Sequence, residues 1–151
     1  MEIVIGCDNA AVQLKNTIID LLKAKGIPFE DMGCHSCGDP TYYPLVAKKV
    51  CDRIIASNYQ KRGILICGTG LGMCMTANKF RGIRAAVCHD IFSTERSILS
   101  NDGNVLCLGE RVIGPELAKR LVSEWLTLTF KDGPSTPKVD AIKRIEEETM
   151  K

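Results

Sequence analysis

The chain has 151 residues, 20 basic and 18 acidic, with an ordinary 45% apolar share, which suits one domain spanning 1–151 with a real core. Its near-neutral balance excludes the basic footprint of a nucleic-acid binder and the polybasic patch of a membrane-surface protein. No apolar run approaches membrane-spanning length, and residues 1–6 are too short and too acidic at the start for a signal peptide, so a cytoplasmic location is expected.

In chain order, residues 2–7 read as a first strand. A helix follows to about Lys25, with a broad apolar stripe of Val12, Leu14, Ile18, Ile19, Leu21 and Leu22, and Gly26 ends it. Residues 27–32 form a short second strand, and a loop runs to Thr41. Tyr43 and Pro44 open a helix to about Ser57, with Val46, Val50, Ile54 and Ile55 inward. The apolar run at 63–66 is a third, fully buried strand, and residues 73–79 start a helix. Residues 83–88 and 104–108 give two more strands, separated by a helix over 91–99. Pro115 sits well in the first turn of a helix to about Phe130, and a charged helix covers about 138–149. Strands alternating with helices predict a parallel sheet covered on both faces, a three-layer α/β sandwich with a helical tail.

Ligands of such sheets bind beyond the C-terminal ends of the strands. The groups brought there by topology are Asp8 and Asn9, residues 67–72, His89 and Asp90, and residues 109–111. Cys67 ends the third strand, and Gly68-Thr69-Gly70-Leu71-Gly72 supplies a loop whose backbone N–H groups can face a ligand. A thiol beside the start of a helix has an environment that favours anions. The loop lacks the G-x-G-x-x-G spacing and carries no P-loop lysine. A small anionic ligand is expected, with Cys67 either a base or simply a small core residue.

There are eight cysteines, and Cys7, Cys51, Cys67, Cys74, Cys88 and Cys107 lie in or beside apolar runs, as buried or strand-end thiols do. Cys34-His35-Ser36-Cys37 has metal-like spacing. No second Cys/His pair is spaced to complete a tetrahedral site, so no metal is expected and the segment reads as a surface loop. Trp125 and Phe130 read as core. Met73, Cys74 and Met75 are expected to pack beneath the glycine loop, and residues 146–148 to form a solvated helix face.

Three segments, ILICGTGLGM at 64–73, ANKFRGIRAAVCHD at 77–90 and NVLCLGERVIGPELA at 104–118, closely resemble the type B ribose-5-phosphate isomerase family, which includes galactose-6-phosphate isomerase subunits. The resemblance runs from IVIGCD at 3–8 to VDAI at 139–142. It implies a Rossmann-like sheet, a homodimer or dimer of dimers with active sites shared between subunits, and cofactor-free aldose–ketose isomerisation of a sugar phosphate through a cis-enediolate. Cys67 matches the family's thiolate base. Thr69 and the N–H groups of Gly68, Gly70 and Gly72 match the donors that stabilise the enediolate. Asp8, Tyr43 and Asn101 match sugar contacts, and Arg111 a phosphate contact.

Departures from the family are concentrated in one function. Asn9 stands where the family usually has His, and Ser100 holds the place of the His that helps open the sugar ring, completing an expected catalytic set of Cys67, Thr69 and Ser100. Pro134 and Lys138 stand at the places of two phosphate-clamping arginines. Met73 replaces a carboxylate that some members carry, which leaves Cys67 as the candidate base. Three activities fit these replacements. One is an isomerase whose substrate has shifted, for instance to a short sugar phosphate that is already open-chain. Another is an ordinary ribose-5-phosphate isomerase in which His89 takes over ring opening. The last is a non-catalytic sugar-phosphate-binding subunit or regulator, or one half of a hetero-oligomeric isomerase.

Overall fold

A computed structural model describes residues 1–150. Its sheet has strands β1 (Ile3–Cys7), β2 (Phe29–Asp31), β3 (Arg62–Cys67), β4 (Ala85–Val87) and β5 (Val105–Gly109), all parallel, in the order β2-β1-β3-β5-β4. The central strands β1 and β5 are buried along their whole length, and β3 beyond Arg62, as expected of a sheet covered on both faces.

Helices α1 (Val12–Ala24), α2 (Tyr43–Ala56), α3 (Leu71–Ala77), α4 (Ile91–Leu99), α5 (Pro115–Thr127) and α6 (Thr136–Thr149) complete the chain. α2 and α3 pack together on one face, and α1, α4 and α5 form the layer on the other. α2 approaches closely because β1 and β3 present glycines to it: a Cβ at Gly63 would come within 2.9 Å of Ile54. This is the expected Rossmann-like three-layer sandwich. Among the described residues no helix is long and apolar enough to cross a membrane.

Element ends differ from expectation for local reasons. β4 is three residues long rather than six, because Ile83 N–H closes a turn onto the Phe80 carbonyl and Arg84 N–H donates to the Asn104 side chain instead of a strand partner. α3 starts at Leu71, two residues early, with Gly70 at φ +79° as its cap, a conformation glycine adopts without penalty. α5 stops at Thr127, where Arg62 holds the chain: its guanidinium donates to the Leu128 carbonyl at 2.7 Å and lies 5.3 Å from the buried Trp125 ring. Phe130 follows the helix and packs at the core's edge.

Three expectations for side chains are corrected. Met73 is buried beneath the loop as expected, but Met75 points outward at 68% exposure and Cys74 is half-buried. Cys34 is core rather than surface loop, because the fully buried Lys15 ammonium donates to its carbonyl and to Asp31 Oδ1, both at 2.7 Å. Glu146 accepts a hydrogen bond from Gly82 N–H, so it ties α6 to the sheet instead of only facing solvent.

Candidate active site

Strand register sets the neighbours at the C-terminal edge. Cys67 pairs with Gly109, and Ile66 with Cys7, so residues 8–9, 68–72 and 110–111 leave the sheet side by side. Backbone bonds lock them: the Cys67 carbonyl accepts from Glu110 N–H and the Gly68 carbonyl from Arg111 N–H, each at 3.0 Å. Glu110 Oε1 also accepts from Leu14 N–H at 2.7 Å, which fixes the first turn of α1 to the same edge.

Cys67 is 5% exposed, and its Sγ accepts a hydrogen bond from Gly70 N–H at 3.1 Å. Thr69 Oγ1 accepts from Leu71 N–H at 3.3 Å and is exposed. The first intrahelical donor of α3 is Cys74 N–H to the Gly70 carbonyl, so the N–H groups of Gly72 and Met73 have no partner within the helix. A Cβ at Gly68 would sit 3.3 Å from Arg111 Nη1, which places that guanidinium against the loop next to the thiol. The Tyr43 ring covers Gly72 from the other side.

Asp8 and Asn9 line an open cleft of about 510 Å³ together with residues 40–44. Asp8 Oδ1 accepts from Ala10 N–H at 3.0 Å, and Asn9 is exposed. The 40–42 stretch is a wall of the cleft that sequence reasoning missed. Asp39 shapes it by accepting both the N–H and the O–H of Thr41, at 2.9 and 2.6 Å, bonds that hold its carboxyl below the ordinary range. Asp-Pro-Thr ahead of a helix start is the signal that could have found it.

The structure thus brings Cys67, Thr69, Gly68, Gly70, Gly72, Asp8, Asn9, Tyr43 and Arg111 to one edge. It does not bring Ser100, Asn101 or Lys138 there. Ser100 and Asn101 follow α4 and precede β5, at the N-terminal edge of the sheet. Ser100 Oγ accepts from Arg96 Nη1 at 3.1 Å and Asn101 Nδ2 donates to the Arg96 carbonyl at 3.0 Å. Asn101 opens on a groove of about 420 Å³ shared with Arg84, Ile142 and Ile145. Lys138 is exposed in the first turn of α6, the helix whose later turns line that groove.

His89 lies at the right edge, but its Nε2 is already used, accepting from Gly109 N–H at 2.9 Å. Burial holds its pKa below the ordinary value, against the opposing pull of Asp90. Of the metal-like pair, Cys34 is buried and Cys37 exposed. Among the described residues no three His, Cys, Asp or Glu side chains are placed to hold a metal ion.

The ribose/galactose isomerase family model matches residues 3–142. The chain belongs to this family. It is 49% identical over 142 residues to D-erythrulose-4-phosphate isomerase of Pectobacterium atrosepticum, covering 94% of this chain and 93% of that protein. It is 46% identical over 147 residues to ribose-5-P isomerase B of Listeria innocua, covering 97% and 98%. The solved ribose-5-phosphate isomerase B of Clostridium thermocellum superposes with a TM-score of 0.92 at 41% identity, covering 98% of this chain and 99% of that one. This family member is accordingly an aldose–ketose isomerase.

Proposed function

We propose that this isomerase interconverts a four-carbon ketose 4-phosphate of the D-erythrulose type with its aldose, using Cys67 as the base. The carrying observation is a retained thiol loop combined with a serine in place of the ring-opening histidine. A five-carbon aldose 5-phosphate closes to a furanose through its free C4 hydroxyl and must be opened before C2 can react. In a four-carbon 4-phosphate that oxygen carries the phosphate, so the sugar stays open-chain. Ser100 is then no deficit, and no acid/base histidine is required. The 49% identity to a protein named D-erythrulose-4-phosphate isomerase supports the same size class.

In the forward step the Cys67 thiolate takes a proton from C1 of the ketose, and the electron pair moves to the carbonyl oxygen. The free N–H groups of Gly72 and Met73, together with Thr69 Oγ, stabilise the enediolate, while Gly70 N–H holds the Cys67 sulfur. The C1 hydroxyl then passes its proton to the neighbouring C2 oxygen across the cis-enediolate. Cys67 returns its proton to C2 as C1 becomes the aldehyde, so Cys67 ends as the thiolate again. Asp8, Asn9 and Tyr43 border the sugar, and Arg111 takes the phosphate. Ser100, Asn101 and Lys138 sit at the opposite edge of their own chain, so their part in this site requires a second copy, in a homodimer or dimer of dimers.

Ribose 5-phosphate is disfavoured as the main substrate because His89 Nε2 is already paired with a backbone N–H. Proton NMR in D₂O with D-erythrulose 4-phosphate and with ribose 5-phosphate tests the proposal. Faster deuterium entry at C1 or C2 and faster turnover of the four-carbon sugar are expected, and Cys67→Ser should lose about 10²–10⁴-fold in rate. An equal or higher kcat/KM for ribose 5-phosphate would sink the size assignment. Unchanged exchange in Cys67→Ser would sink the thiol. Binding without exchange of either sugar would leave the non-catalytic subunit.

A further inference from the structure

The thiol of Cys67 is not the only one under the glycine loop. Cys107 pairs with Leu65 on β3 and Val87 on β4, and Gly109, two residues on, pairs with Cys67. Side chains alternate along a strand, so Cys107 and Cys67 face the same side of the sheet. α3 packs against that side. Cys74 of α3 reaches down to the sheet there, its Sγ donating to the Ala85 carbonyl at 3.5 Å, and Cys107 is the buried thiol on the strand face that α3 covers.

The two thiols differ in access and in environment. Cys107 is fully buried. Cys74 is half-buried and opens on a cavity of about 450 Å³ with Leu71, Met75, Asn78, Lys79 and Val87. The Asn78 amide donates to its sulfur at 3.5 Å. The neighbouring Cys107 thiol, with smaller contributions from Val87 and Asn78, holds the Cys74 thiol down to about 7 against the effect of burial, whereas Cys107 is pushed well up. A reachable thiolate beside a buried thiol that can resolve it is the arrangement of a reactive cysteine pair.

We propose that Cys74 is a second reactive thiol of this protein, open to hydroperoxides through its cavity, with Cys107 as the partner that converts its oxidation into a disulfide. The Cys74 thiolate attacks one peroxide oxygen and the O–O bond breaks. Hydroxide leaves and is protonated to water, and Cys74 becomes a sulfenic acid. Cys107 sulfur then attacks Cys74 sulfur, the S–O bond breaks and a second water leaves with the Cys107 proton. Two thiols lose two electrons, and one hydrogen peroxide is reduced to two waters.

The bond would act on the isomerase site. The two sulfurs have to close to about 2.05 Å in a disulfide, which draws α3 toward β5. α3 carries Gly72 in its first turn and Gly70 as its cap, so the loop around Cys67 moves with it. This effect on turnover rests on the proposed site, while the thiol chemistry stands apart from it.

The test is graded hydrogen peroxide on the purified full chain, read in parallel by peptide mass mapping and by turnover. Wild type is expected to lose two thiols per chain to a Cys74–Cys107 link, with turnover lost together with them and restored by dithiothreitol. Cys74→Ser should keep its turnover at doses that silence wild type, and Cys107→Ser should trap a dimedone adduct on Cys74. Oxidation mapped to Cys67 with Cys74 unmodified would overturn the proposal, as would equal sensitivity of Cys74→Ser. The wild-type mass map decides even if Cys107→Ser does not fold. It also decides if neither sugar phosphate turns over.

Discussion

Tyr43 occupies the space that a side chain at Gly72 would need: a Cβ there would come within 2.3 Å of the ring's Cε1. The ring opens α2 and the glycine opens α3, so this contact joins two helix starts over the thiol loop. Ordinarily Gly→Ala in a helix gains about 0.5–1 kcal/mol. Here Tyr43 is 39% exposed, so its ring can swing outward to make room. Gly72→Ala is therefore expected to leave the melting temperature nearly unchanged while turnover falls. In a Tyr43→Ala background the added effect of Gly72→Ala should shrink, as a double-mutant cycle in kcat/KM reads out. Additive losses would show that the two residues act separately.

Arg111 meets the loop through its flat guanidinium, lying against Gly68. In the proposed complex it faces the phosphate, and its fork can give two parallel bonds where a lysine gives a point charge. Losing one charged hydrogen bond of about 1.5–3 kcal/mol raises KM by roughly 10–100-fold. Arg111→Lys is expected to show that rise with kcat less affected, and steady-state kinetics on the phosphorylated sugar check it. A fall in kcat alone would place Arg111 with the enediolate instead.

The sheet, the order of its helices and the thiol loop could be read from apolar periodicity and glycine placement, because those signals are local. Side chains that borrow a distant partner could not. Asn104 replaces a strand bond at Arg84, Lys15 of α1 reaches the Cys34 carbonyl, and Glu146 reaches Gly82. No spacing rule encodes such pairs. The separation of Asn101 from Cys67 was legible after all. A residue just before a parallel strand lies at the N-terminal edge, and a residue just after one lies at the other. Family resemblance named Asn101 and Ser100 as site residues, and topology alone says that one chain cannot supply both ends.

Lys15 and Asp31 make a buried ion pair whose halves are unequally placed. The ammonium is wholly buried, while the carboxylate keeps 23% of its side-chain exposure and also accepts from Gly33 N–H. Breaking a buried pair costs about 3–5 kcal/mol when the remaining charge is stranded. Asp31→Ala strands Lys15 without water and is expected near the top of that range. Lys15→Met leaves a carboxylate that water and Gly33 still reach, and an apolar chain that suits the core, so its cost should be distinctly smaller. Urea denaturation of the two variants reads the difference. A larger loss for Lys15→Met would mean that the Cys34 carbonyl, left without its donor, dominates.

His89 gives the fold a pH dependence on the acid side. Its Nε2 accepts from Gly109 N–H, so the folded state needs the neutral ring, and burial lowers its pKa. The unfolded chain then binds a proton more readily than the folded one, between the lowered folded value and the ordinary one of about 6.5. Stability rises with pH wherever the unfolded state holds more protons. The contribution of His89 is thus intact above that ordinary value, is lost as pH falls below it, and levels off beneath the folded value. Melting temperature measured from pH 8 to pH 5 should decline for wild type. His89→Gln keeps an acceptor for Gly109 without a titrating group, so it should decline less over the same range. Parallel curves would assign the acid sensitivity to other groups.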